Sequence, residues 1–175
     1  MEPKIAGGDA TDCSRLAWLL IACEKQDRAA EIVDCGLRLE PNNEHCQNLS
    51  FKIWSPRLEK ARRGNDLAGM VDAVCRLTPH PSFRFADISD AANYFNLAGR
   101  EIDMSPDQRQ LLARRLGNAM EPRIKEGAAT DCSRLAWLRL QAGENERASA
   151  VVEWGLKLEP NNEHCLKLKT RLQHG

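Results

Sequence analysis

Two His-Cys pairs stand out first in the 175-residue chain: His45-Cys46 and His164-Cys165. A thiol beside an imidazole is the raw material of a cysteine nucleophile, but the base must reach the sulfur and a third group must orient the base. Neighbouring residues on a helix point about 100° apart, so neither pair faces itself. No third group is spaced to complete a dyad, and packing of the two cysteines beside solvated or capping histidines is the better reading. The remaining cysteines, Cys13, Cys23, Cys35, Cys75 and Cys132, form no Cys-x-x-Cys, so zinc knuckles and thioredoxin-type centres are excluded. Most lie in apolar helical patterns, where reduced cysteine acts as a small hydrophobe, and a reducing compartment follows. Gly-rich phosphate loops, His-Glu-x-x-His and Gly-x-Ser-x-Gly are all missing. The expectation is a chain that is not an enzyme and uses no metal or cofactor.

Charge narrows the partners. Arg57, Lys60, Arg62 and Arg63 make one basic cluster, and Arg109, Arg114 and Arg115 another. Glu59 and Asp107 interrupt them, and no Phe or Tyr interleaves for base stacking. Lys and Arg total 25 against 25 Asp and Glu. A nucleic-acid binder relying on a strong positive field is therefore not expected. No run approaches the ~20 apolar residues of a membrane span, and the start resembles neither a signal peptide nor a transit helix. A cytoplasmic protein without membrane attachment is expected.

The elements that position these residues come from a repeat. Residues 2–46 and 121–165 are identical at 27 of 45 positions, with a period of 119. Thr11–Leu19 (TDCSRLAWL) returns unchanged as Thr130–Leu138, and Leu39–Cys46 (LEPNNEHC) as Leu158–Cys165. In the first copy Thr11 or Asp12 is suited to cap a helix through SRLAWLLIAC. Asp27 is suited to cap a second, RAAEIVDCGLRL, which Pro41 stops. Gly143 occupies the inter-helix turn of the second copy, where a positive φ is favoured. Helices of about three turns are marginal alone and must stack on neighbours.

These residues resemble the tetratricopeptide repeat, a 34-residue helix–turn–helix unit. The endings Leu37, Leu39, Glu40, Pro41, Asn42, Asn43 and Leu156, Leu158, Glu159, Pro160, Asn161, Asn162 match that family's, with Ala29 and Ala148 at its small crossing position. Two positions depart: Cys13 and Cys132 replace a large aromatic. Gly36 and Gly155 replace another small residue, and should weaken the second helix by about 1 kcal/mol. The resemblance covers 11–46 and 130–165 and implies an all-α fold, a right-handed α-solenoid of helix–turn–helix repeats. The family's chaperone-tail clamp would need Lys and Asn where Ser14, Trp18, Ser133 and Trp137 stand, so that activity is not implied.

The rest of the chain repeats the theme loosely. Residues 1–10 read as the end of a helix, 11–43 as one repeat, and 44–80 as a degenerate one whose first helix is interrupted at Ser55-Pro56. Residues 87–127 read as a divergent pair. Asp87 caps its first helix, and Ser105-Pro106 open a second that continues, bent at Pro122, to Ile124. Residues 130–162 form the last full repeat and 163–175 a trailing helix. The match of 1–8 to 120–127 suggests an excerpt from a longer array.

The function expected is a non-catalytic scaffold or adaptor holding a protein or peptide on the groove lined by first helices, with self-association open. The alternative is a regulatory or sensor segment of a larger bacterial signalling or defence protein whose catalytic domain lies elsewhere. Groove candidates are Arg15, Trp18, Leu20, Arg134, Trp137 and Arg139. Leu16, Leu19 and Cys23 share a helix face with Trp18 nearly opposite. Packing on the adjoining repeat is therefore the first reading for Trp18 and Trp137, and partner contact the second. The change from Leu20 to Arg139 suggests that this position faces solvent.

Overall fold

A computed structural model describes residues 8–98 and 102–174. Among them lie nine α-helices, one 3-10 helix and no strand. The helices are α1 (Ala10–Ala22), α2 (Gln26–Leu39), α3 (Glu44–Arg63), α4 (Leu67–Leu77) and α5 (Phe85–Ala98). After α6 (Pro106–Met120) the 3-10 helix Glu121–Glu126 leads into α7 (Ala129–Gln141), α8 (Asn145–Leu158) and α9 (Glu163–His174). The chain is all-α, and consecutive helices pack on one another. α1 also meets α3, α4 meets α6, α5 meets α7 and α7 meets α9. The expectation for residues 1–10 falls mainly on 1–7, outside the described residues.

The helix starts are set by short polar side chains that satisfy first-turn amides. Asn43 accepts from the Cys46 amide and Asn162 from the Cys165 amide, both at 3.1 Å. Asp66 and Ser105 cap α4 and α6, the latter with Pro106 in the first turn as expected. Three starts differ from expectation. Asp9, not Thr11 or Asp12, caps α1 by accepting from the Asp12 amide, because the helix already begins at Ala10. Asp27 does not cap α2; Lys25 precedes Gln26 and brings no side-chain cap. Asp87 lies inside the first turn of α5, reaching back to the Arg84 amide at 3.3 Å.

Pro56 does not interrupt α3, which runs unbroken over 20 residues. Proline removes only the amide that would bond the carbonyl of residue 52, and Pro56 and Lys52 are both exposed. Trp54 and Ile53 before it, and Leu58 and Ala61 after it, are buried and hold both halves in the core. By contrast, α6 ends at Met120 and the chain tightens into the 3-10 turn, so the expected bent helix to Ile124 is two elements. Gly143 has φ +75° as foreseen; Glu24, its counterpart, adopts φ 60° without glycine.

Gly36 and Gly155 correct the sequence reading most. A Cβ on Gly36 would stand 2.6 Å from Cys46 Sγ and 3.0 Å from Cys13 Cβ. On Gly155 it would stand 2.7 Å from Cys165 Sγ and 2.9 Å from Cys132 Cβ. The glycines are where the second helix touches the first and third, so their cost in helix propensity is outweighed by close approach. Gly155→Ala is expected to lower stability by about 1–3 kcal/mol despite the ~1 kcal/mol propensity gain. Urea unfolding measures this, and a stabilised variant would contradict the close-packing account.

Candidate interaction site

The first helix of each repeat carries the chemistry singled out in the sequence, and α1 and α3 frame a cleft of about 590 Å³. Trp18, Leu19 and Leu49 give it an apolar wall. Thr11, Ser14, Arg15, His45 and Asn48 give it a polar rim. Trp18 is 59% exposed and Leu19 55%, unusually open for side chains of their size. Packing of Trp18 into the neighbouring repeat, the first reading from the sequence, is therefore not what the fold does. Arg15 lies open beside Asp12 at 3.6 Å.

The rim is held from behind. His80 Nδ1 accepts from the Ser82 amide at 3.1 Å, so the ring proton lies on Nε2 and is donated to Asn48 Oδ1 at 3.2 Å. Phe51 lies against the ring, 4.5 Å between centroids. Burial pushes the His80 pKa below its ordinary value. The sequence marked Pro79-His80-Pro81 only as a loop; nothing in its spacing pointed to Asn48.

In the second copy Arg134 and Trp137 line a smaller hollow of about 340 Å³ with Asn93, Asn96 and Leu97 of α5. Arg134 is tied down by Asp131 at 3.1 Å and Ser89 Oγ at 2.8 Å, and Ser89 also bonds Asp131. Asn96 donates to the Arg134 carbonyl and accepts from Gln141. Arg171 lies over the Trp137 ring, 4.8 Å from its centroid. Trp137 is thus half-buried and engaged within the chain.

Arg139 overturns its sequence reading. It is 0% exposed, the largest fully buried side chain among the described residues. Its guanidinium donates to Glu121 at 2.6 Å, Glu144 at 2.7 Å and Asn118 at 2.8 Å, while Nε stays without a partner. The change of polarity from Leu20 reflected a buried charge network rather than a solvent-facing site. Burial alone would raise Glu144, but Arg139, Arg147 and Arg114 hold its carboxyl below the ordinary range. Leu20 is half-buried and packs against the core.

The cysteines form no disulfide. Cys46 and Cys165 point inward, bonding the carbonyls of Ala10 and Ala129 at 3.3 and 3.4 Å, while His45 and His164 are exposed. Burial pushes the Cys46 and Cys132 thiols up to about 11, so thiolate is scarce at neutral pH. Among the described residues no group of three His, Cys, Asp or Glu is placed to hold a metal ion, and no helix is long and apolar enough to cross a membrane. The basic clusters are engaged between helices: Arg57 with Asp27, Arg115 with Asp72, and Arg114 with Glu144.

No protein-family model matches the chain, and no curated protein or solved structure matches it significantly. The second copy of the repeat is therefore the best reference for the first.

Two measurements check these networks. Arg139→Ala is expected to cost about 3 kcal/mol or more, through two carboxylates losing their shared partner and a cavity. Arg139→Leu should cost less, since Arg114 and Arg147 still face the carboxylates. Urea unfolding with both variants as stable as the parent would refute the network. For His80 the unfolded state binds more protons than the folded one below about pH 6.5. Stability should fall as pH drops through that value, because burial disfavours the charged ring; a proton on Nδ1 would also face the Ser82 amide. His80→Gln should remove this dependence between pH 7.5 and 5.5; an unchanged slope would refute it.

Proposed function

We propose that the chain is a non-catalytic protein-interaction module, a tetratricopeptide-like α-solenoid whose first helices line a groove for a peptide or partner domain. The observation that carries the reading is the α1–α3 cleft, with Trp18 and Leu19 open beside the Arg15 rim. Exposed aromatic and aliphatic side chains ringed by polar groups are the usual anchor of a peptide site. Support for the repeat architecture comes from the paired contacts of α1 with α3, α5 with α7 and α7 with α9. It also comes from the shared Asn-capped, Gly-crossed corners of the two copies.

The cleft suits an apolar side chain seated on Trp18 and Leu49, flanked by a carboxylate or carbonyl that Arg15 and Asn48 can reach. Of the six groove candidates, Arg15 and Trp18 carry this reading. Arg134 and Trp137 contribute the smaller hollow, Leu20 backs the helix, and Arg139 is internal.

The test is selection of peptides from a random display library on the whole chain, followed by titration with Trp fluorescence. Trp18→Ala should weaken the selected peptides by about tenfold or more, as loss of a central anchor does. Arg15→Glu should weaken acidic peptides selectively. Peptides that bind parent and both variants equally would overturn the assignment.

A further inference from the structure

Helices α1 and α7 share ten consecutive residues, ATDCSRLAWL, yet meet different surroundings. Leu16, Leu19, Leu20 and Cys23 form an i, i+3, i+4, i+7 stripe on α1, matched by Leu135, Leu138, Arg139 and Ala142 on α7. The α7 stripe is fully buried, with the α5–α6 hairpin packed on that helix. On α1 Leu19 and Cys23 are exposed, and Leu16 and Leu20 are half-buried. The opposite face is alike in both copies: Ala10, Cys13 and Ala17 are as buried as Ala129, Cys132 and Ala136. Inner packing is conserved between the copies; only the outer cover differs.

The cover on α7 is held by charge as well as apolar contact. Arg114 of α6 bonds the Ala142 carbonyl at 3.1 Å and pairs with Glu144 at 3.0 Å. Gly117 lies over the Arg139 guanidinium, whose Cζ would be 3.2 Å from a Cβ there. The first copy has Lys25 where Glu144 stands and Leu20 where Arg139 stands. A hairpin with the sequence of α5–α6 would set a guanidinium against Lys25 and leave space above the shorter Leu20.

We infer that the Leu16–Leu19–Leu20–Cys23 face docks a helical hairpin seated as α5–α6 is seated on α7. That hairpin carries a carboxylate at the place of Arg114 and an apolar side chain at the place of Gly117. A second copy of this chain offering its own α5–α6 fails the charge requirement, because Arg114 would oppose Lys25. The inference goes beyond the peptide cleft: the stripe on the flank of α1 shares Leu19 with the cleft wall, but Leu16, Leu20 and Cys23 lie outside that cleft.

The test joins a second copy of residues 84–119 in front of Met1, which keeps the 119-residue register into the native chain. Two chimeras are compared, one with the hairpin unchanged and one carrying Arg114→Glu and Gly117→Ala in the added copy only. The readout is the rate at which a thiol reagent labels Cys23, the exposed cysteine of the seven; the added hairpin contains no cysteine. The substituted hairpin should slow labelling by at least about tenfold, as burial of an exposed site does. The unchanged hairpin should protect much less, and Lys25→Glu in the native part should restore protection to that chimera. Leu20→Asp, outside the cleft, should abolish protection in both. Equal labelling of parent and all chimeras would overturn the docking face. Equal protection by both hairpins would overturn its charge selectivity. Concentration-dependent protection of Cys23 in the unmodified chain, with a dimer by light scattering, would assign the face to a second copy instead.

Discussion

Everything in the two repeat corners hangs on how closely three helices approach at one point. The second helix of each repeat crosses the first and third where Gly36 or Gly155 leaves no room for a methyl group between it and a pair of cysteines. The sulfur of the third helix then reaches the first turn of the first helix, through the Ala10 or Ala129 carbonyl. That contact fixes which faces of α1 and α7 look inward. It therefore fixes which faces are left for the cleft and for the outer stripe. Cysteine suits this place because it is small, apolar and buried deeply enough to stay protonated.

Charge plays a different part. The equal totals of acid and base resolve into specific pairs that join neighbouring helices, such as Asp34 with Arg76, Asp72 with Arg115 and Asp27 with Arg57. Each pair has one half-buried member and still meets solvent, and solvent-exposed pairs contribute about 0–1 kcal/mol each, so they orient helices more than they stabilise them. Arg57 and Arg76 also approach the Trp54 ring at 4.7 and 5.5 Å, and its buried indole N–H has no hydrogen-bond partner. The buried Arg139 network stands apart, since removing one member strands the others away from water. In both basic clusters arginines pair with carboxylates, and the groove candidates differ too: Arg15 is open, Arg134 is tethered and Arg139 is enclosed.

The order and extent of the helices were legible wherever caps and breakers were strong. Ser105-Pro106 and Gly143 mark their places by local chemistry that tertiary contacts do not override, whereas the capping by Asn43 and Asn162 emerged only in the fold. Pro56 misled because its helix-interior cost of about 3 kcal/mol is offset by burial of Ile53, Trp54, Leu58 and Ala61 on either side. The glycines at 36 and 155 looked like weak points because propensity is read locally and close approach is not. The candidate site was half legible. The sequence named Arg15 and Trp18 as groove candidates but read Trp18 first as packed, and it did not show that α5 and α6 cover one copy and leave the other open. Arg139 misled for the same reason: polarity implied solvent, whereas its partners Glu121 and Glu144 lie 18 and 5 residues away. Asn48 was invisible, because its orientation depends on His80 across 32 residues.

The outer surroundings of α1 and α7, rather than the ten residues the two helices share, set their difference in stability. Residue-resolved hydrogen exchange by NMR tests this directly, since residues 11–19 and 130–138 have nearly the same intrinsic exchange rates. Leu138 is buried where Leu19 is 55% exposed, and Leu135 where Leu16 is half-buried, together roughly one leucine burial of about 1.5–3 kcal/mol, which predicts protection in α7 exceeding that in α1 by about tenfold or more. Equal protection in the two helices would contradict the account.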